Sequence, residues 1–184
     1  HAFARPGELP VPPMNLVADF GGGSMFLVLG ILAALWERER SGLGQVVDAA
    51  IVDGVAALLA GAAGHVPTGG LSLARGHNVL VGASNYYRPY LCKDGREFAV
   101  AAIEPQFYRT LLQRIGAPVE WAEDQHDPSV WPERSAAMAA IFLTHTRDEW
   151  TVILEDSDAC GAPVLELAEV PTHPQIAERN GYAL

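Results

Sequence analysis

The chain has 184 residues, 49% of them hydrophobic and 18% charged, with a formal net charge of -10 at pH 7. That length and apolar content support a buried core, in one domain or in parts of two, and exclude a disordered chain. An acidic balance without clustered cations excludes nucleic acid and an anionic membrane as partners.

Two cysteines, Cys92 and Cys160, are too few for a disulfide framework and indicate reduced thiols in the cytoplasm. The six histidines never reach metal-ligand spacing, so no metal site is expected.

Residues 1–14, with Pro6, Pro10, Pro12 and Pro13, are expected to be extended loop. The chain starts at His1 with no signal-peptide pattern, and both its ends read as cuts through a longer protein. The stretch Asn15-Leu16-Val17-Ala18-Asp19-Phe20-Gly21-Gly22-Gly23-Ser24 sets one carboxylate beside three glycines, ahead of an apolar run from Met25 to Trp36. The glycines read as a turn and Ser24 as the cap of a helix reaching about Arg40. Ser41-Gly42-Leu43-Gly44 stops it. The apolar run is shorter than the about 20 residues that a bilayer span needs, so a core helix is expected.

Gln45 to Ala50 reads as a short strand and Ile51 to Ala63 as a second helix, whose Gly54, Gly61 and Gly64 imply close packing. Asp48 and Asp53 flank that junction and read as caps. Residues 64–83, rich in Gly, Pro, Ser and Thr, form a linker.

A hairpin follows, Tyr86 to Cys92 and Glu97 to Ala102 around Lys93-Asp94-Gly95, with Tyr86, Tyr87 and Tyr90 half in the core. Pro105 suits the first position of a helix to about Arg114. Trp131 to Thr144 is helical, and Thr146 with Glu149 makes a capping box for a helix to about Glu155. The fold class is α/β. Residues 1–63 are part of an α/β layer, residues 84–157 a small α+β domain, and residues 158–184 a connection leaving it.

Asp19 and Glu104 are the acids best placed for chemistry, and helix capping is the competing role for each. Gly21-Gly22-Gly23 does not match G-x-G-x-x-G, so no dinucleotide fingerprint is present, although bare amides there could stabilise an oxyanion. Ser24 lacks the context of a serine nucleophile. His77 and His145 read as surface or hydrogen-bonded side chains.

Four stretches carry a resemblance: Asn15 to Gly23, Gly44-Gln45-Val46-Val47-Asp48-Ala49, Arg75-Gly76-His77-Asn78, and Ala102-Ile103-Glu104-Pro105-Gln106-Phe107-Tyr108. Together they resemble the α-methylacyl-CoA racemase branch of the family III CoA-transferase superfamily, over nearly the whole chain. The resemblance implies a Rossmann-like large domain, of which residues 1–63 would be the C-terminal portion, plus a small domain, in an interlocked homodimer. It implies Asp19 as one of two proton-transfer groups and a histidine from an upstream Gly-His-Asp motif as the other. Glu104 would hydrogen-bond that histidine.

Asn15, Gly21, Gly22, Gly23, Ile51, Val55, Val79, Leu80 and Tyr87 are implied to contact an acyl-CoA substrate. Coenzyme A is part of that substrate, and no separate cofactor is implied. Relatives often carry methionine where this chain has Ile51, Val55 and Val79, which leaves a stiffer apolar groove. Asn85 stands where they carry proline and is expected to loosen its loop. A CoA transferase using Asp19 as nucleophile, and a non-catalytic dimerisation module, are the alternative functions.

Overall fold

The computed structural model describes residues 2, 4 and 7–182, so the expectations that rest on His1 and Pro6 fall outside the described residues. The chain divides into two units, His1–Arg75 and Gly76–Leu184, and the division falls within the stretch expected to be a linker. Among the described residues the first unit is helical, and the second combines helices with a three-stranded antiparallel sheet.

In the first unit, Leu16–Ser24 is a π-helical segment that continues without a break into α1, Met25–Ser41. This corrects the expected turn at Gly21–Gly23 and the expected cap at Ser24. Ser24 has helical backbone angles (φ -61°, ψ -43°) and makes no capping bond. Its hydroxyl donates instead to the Asp19 carbonyl at 3.1 Å.

The wide turn is held by bonds such as Phe20 N–H to the Asn15 carbonyl at 3.1 Å, and by packing on α2, Ile51–His65. Glycine is a poor helix former, and here tertiary packing overrides that local cost. The end of α1 is as expected: Gly42 takes φ +72° and donates its N–H to the Arg38 carbonyl at 2.8 Å.

The continuous helix Leu16–Ser41 has 26 residues and a most apolar window of mean hydropathy 1.8, long and apolar enough to cross a membrane by length and composition. The helix is thus longer than the apolar run Met25 to Trp36 from which it was expected. No residue of α1 is buried, and Leu27, Leu32, Leu35 and Trp36 are exposed with no cover among the described residues.

Residues 45–50 form neither helix nor strand and pair with no described strand, and Val46 is 93% exposed. The β-branched pattern is present; a ladder partner is not. Ala50, extended and without a side-chain cap, is the N-cap of α2, so Asp48 does not cap it. Asp53 lies in its first turn, where a carboxylate favours the helix dipole.

The second unit follows its local signals closely. β1 (Tyr87–Leu91) and β2 (Glu97–Ala101) pair antiparallel with Tyr90 opposite Phe98. Gly95 at φ +79° closes the turn. β3 (Gly161–Pro163) adds an antiparallel third strand on β2, in a segment expected to be plain connection.

α3 (Pro105–Ile115) starts at its proline and buries Tyr108, Leu111, Leu112 and Ile115, one helical stripe. α4 (Trp131–Phe142) and α5 (Arg147–Leu154) complete the core, and α6 (Pro174–Glu178) follows. The capping box of α5 is formed: Thr146 N–H donates to Glu149 Oε2 at 2.8 Å, and Glu149 N–H to Thr146 Oγ1 at 3.2 Å. At the centre Phe98 stacks on Phe142, and Trp150 packs on Phe142 at a tilt, each contributing about 1.5–3 kcal/mol by burial.

Candidate functional site

Asp19 projects from the π-helical segment and is exposed, and its carboxylate has no hydrogen bond or ion pair among the described residues. It caps nothing. Asn15 takes the N-cap position (φ -94°, ψ 12°), exposed, with its carbonyl bonded to Phe20 N–H.

The glycines beyond Asp19 are not bare. Gly22 and Gly23 are buried against α2. A Cβ on Gly22 would lie 2.8 Å from Val55 Cγ2 and 2.9 Å from its amide nitrogen, and one on Gly23 would lie 3.0 Å from Ile51 Cγ1. This corrects the expectation of open amides at a helix start, because the π turn continues the helix and α2 covers it. Ile51 and Val55 therefore pack on the glycines, although 43% of Ile51 stays exposed and Val55 is half-buried.

In the second unit, Glu104 occupies the N-cap of α3 (φ -75°, ψ 138°), yet its side chain makes no capping bond and is exposed. Its backbone is tightly held. Tyr108 N–H donates to the Glu104 carbonyl at 3.0 Å, Ala102 N–H to Tyr86 at 3.0 Å, and Ala101 N–H to Cys160 at 2.8 Å.

Gln125, only 2% exposed, clamps the same turn, with Nε2 donating to the carbonyls of Ala102 (3.1 Å) and Ile103 (2.9 Å). Trp131 Nε1 fixes Gln125 in turn at 2.8 Å. Sequence reasoning missed Gln125, since a lone glutamine in a polar connection carries no periodic signal. The Cys160 thiol is pushed up by desolvation first and then by the Glu104 carboxylate, so it stays protonated and is a poor nucleophile.

Asn85 does not loosen its loop. It is 1% exposed; Nδ2 donates to Tyr108 Oη at 2.7 Å, and its carbonyl accepts from Tyr90 Oη at 2.6 Å. A buried residue with two short hydrogen bonds ties the segment to Tyr90 and Tyr108. Burial pushes up the Tyr90 and Tyr108 hydroxyls and keeps them protonated, and it pushes the Cys92 thiol up to about 11.

Tyr86 (0% exposed) and Tyr90 (4%) are full core, and only Tyr87 is half-buried. Val79, in the short turn Val79–Val81 beside β1, packs with Tyr87 against the core, while Leu80 is 65% exposed. His145 bonds Thr144 at 2.7 Å and lies against the Trp150 ring; His77 is exposed.

The first unit thus brings together Asn15, Asp19, Gly21, Gly22, Gly23, Ile51 and Val55; Val79, Leu80, Tyr87 and Glu104 belong to the second. Asp19 is an exposed carboxylate without a hydrogen bond or ion pair among the described residues, able to move a proton or to attack a carbonyl.

The family model described as "CoA-transferase family III" matches residues 1–183. The chain is 43% identical over 180 residues to an alpha-methylacyl-CoA racemase of Mus musculus, and 41% identical over 183 residues to one of Homo sapiens. Each match covers 98% of this chain and 47% of the relative, so the chain spans about half the length of the curated relatives it matches. Among solved structures, Rv3272 from M. tuberculosis matches with a TM-score of 0.71 at 23% identity, over 95% of this chain and 46% of that one. That likeness concerns the fold.

Proposed function

Because the chain belongs to CoA-transferase family III, we propose that it is part of an α-methylacyl-CoA racemase, an isomerase inverting the carbon α to a thioester carbonyl. The observation that carries the reading is the identity to two proteins of that name along 98% of the chain.

Such an inversion needs one proton-transfer group on each face of the carbon. On one face the Asp19 carboxylate takes the α-proton, and the C–H electron pair moves onto the thioester oxygen as an enolate. A protonated histidine, supplied by the half of the protein outside this chain, returns a proton to the other face. Glu104 hydrogen-bonds and orients that histidine, across the interface of an interlocked homodimer. Asn15 and Gly21 approach the thioester, and Ile51, Val55, Val79, Leu80 and Tyr87 offer apolar surface to the acyl chain. No metal or separate cofactor takes part; coenzyme A arrives on the substrate. The free thiols of Cys92 and Cys160 suit a reducing cytoplasm.

The exposure of Asp19 also favours a second reading, CoA transfer with Asp19 as nucleophile. Deuterium uptake at the α carbon without any acceptor acid supports the racemase. Hydroxylamine capture of an Asp19 acyl adduct in the full-length protein sinks it.

The 184-residue chain alone is expected to be inactive, because one base is supplied from outside it. It is also expected to self-associate through the apolar side chains of α1, such as Leu32 and Trp36, which the remaining half would cover. Restoring the upstream half is expected to restore inversion, measured by chiral separation of the released acids. Inversion by the chain alone would overturn this division of labour.

A further inference from the structure

We infer that Gly54 is a positioning residue for Asp19, acting through the backbone of Gly22; this rests on the reading of Asp19 as a proton-transfer group. Gly54 is the buried residue of α2. A Cβ there would overlap the Gly22 carbonyl oxygen, and would lie 2.6 Å from the Gly22 carbonyl carbon and 2.8 Å from its Cα. These are backbone atoms, which cannot swing aside as a side chain can. From the other side, a Cβ on Gly22 would meet the Val55 amide nitrogen at 2.9 Å and the Ile51 carbonyl at 3.2 Å. The two helices are therefore seated backbone on backbone.

Asp19 lies three residues before Gly22 on the same helical segment, and the Ser24 hydroxyl ties its carbonyl to the following turn at 3.1 Å. With no bond on its carboxylate among the described residues, Asp19 is placed through its backbone, and the seat on Gly54 is, with the hydrogen bonds of the segment, one of the contacts that place that backbone. At Gly61 and Gly64, further along α2, an added Cβ would meet nothing within 4 Å, so glycine is not sterically required there.

The test uses the full-length protein, with a 2-methylacyl-CoA thioester in deuterated water as probe. Inversion and deuterium uptake with retention are measured side by side. A displacement near 1 Å costs about 10²-fold, so Gly54→Ala is expected to slow inversion by about that factor. With the enantiomer whose α-hydrogen faces the histidine, uptake with retention is expected to fall much less, and Gly61→Ala to change neither. Both rates are taken per folded enzyme; a fall of both in the same proportion, or inversion at the wild-type rate, overturns the inference.

Should Gly54→Ala not fold, Gly23→Ala replaces it, since its closest contact is the Ile51 side chain at 3.0 Å. The same skew toward retention is expected, smaller in size, and proportional loss again overturns. If the wild-type protein shows no deuterium uptake, the racemase reading fails on its own. Amide hydrogen exchange across residues 16–24 then decides the seat. Faster exchange in Gly54→Ala than in Gly61→Ala supports it, and equal exchange overturns it.

Discussion

Asp19→Asn in the full-length protein is expected to slow inversion at the α carbon by about 10²–10⁴-fold, the range a positioned acid–base group supplies. The substitution keeps the shape of the side chain and removes its capacity to accept and return a proton. The carboxylate has no hydrogen bond or ion pair among the described residues, and its charge acts there only on the dipole of its own helical segment. Stability is therefore expected to stay within about 0.5 kcal/mol, as for an unpartnered surface site. KM is expected to move little, since the loss lies in the proton-transfer step. Deuterium uptake with retention should persist at the face served by the histidine. Glu104→Gln is expected to cost less, because that group orients a base and transfers no proton itself. Inversion by Asp19→Asn at more than a tenth of the wild-type rate would remove Asp19 from the mechanism. A large loss of stability in the same variant would mean that the carboxylate has a structural partner after all.

The second unit was legible because its signals are local. Gly95 sits where the hairpin turn needs a positive φ, Pro105 opens α3, and Thr146 with Glu149 closes the capping box. The first unit was misread where tertiary packing outweighs local cost. Three glycines look like a turn until α2 is seen lying against them, and Gly54 gains meaning only from the approach of Gly22. Residues 45–50 have strand composition but no described neighbour to pair with. For the site, resemblance pointed to Asp19 and Glu104, while capping, the role suggested by position alone, needs a side-chain geometry that neither adopts. Gln125 and Asn85 could not be found from sequence, because burial of a polar side chain is decided by elements distant in the chain.

Arg147→Ala is expected to lower the stability of the full-length protein by about 2–3 kcal/mol, measured by denaturant unfolding at pH 7. Arg147 is 5% exposed and gathers the segment after β3 onto α5. Nη1 donates to the Val164 carbonyl at 3.1 Å and to Glu169 Oε2 at 2.8 Å, while Nη2 donates to Glu169 Oε1 at 2.7 Å. Removing the guanidinium leaves the Val164 carbonyl and Glu169 without these donors. Glu169 can rehydrate, which keeps the cost below that of a fully buried pair. Arg147→Lys cannot reproduce the forked contact and is expected to recover only part of the loss.

The pH dependence follows from Glu169. The Arg147 guanidinium, and then the Glu166 amide, hold its carboxyl at about 2, against an ordinary 4.5. A depressed carboxylate adds stability that is fully present above pH 4.5 and is lost as pH falls toward about 2. The gap between wild type and Arg147→Ala should therefore be full at pH 7 and narrow across that acid window. A gap of the same size at pH 2 would show that Arg147 acts through packing of its stem, and that the pair with Glu169 adds nothing.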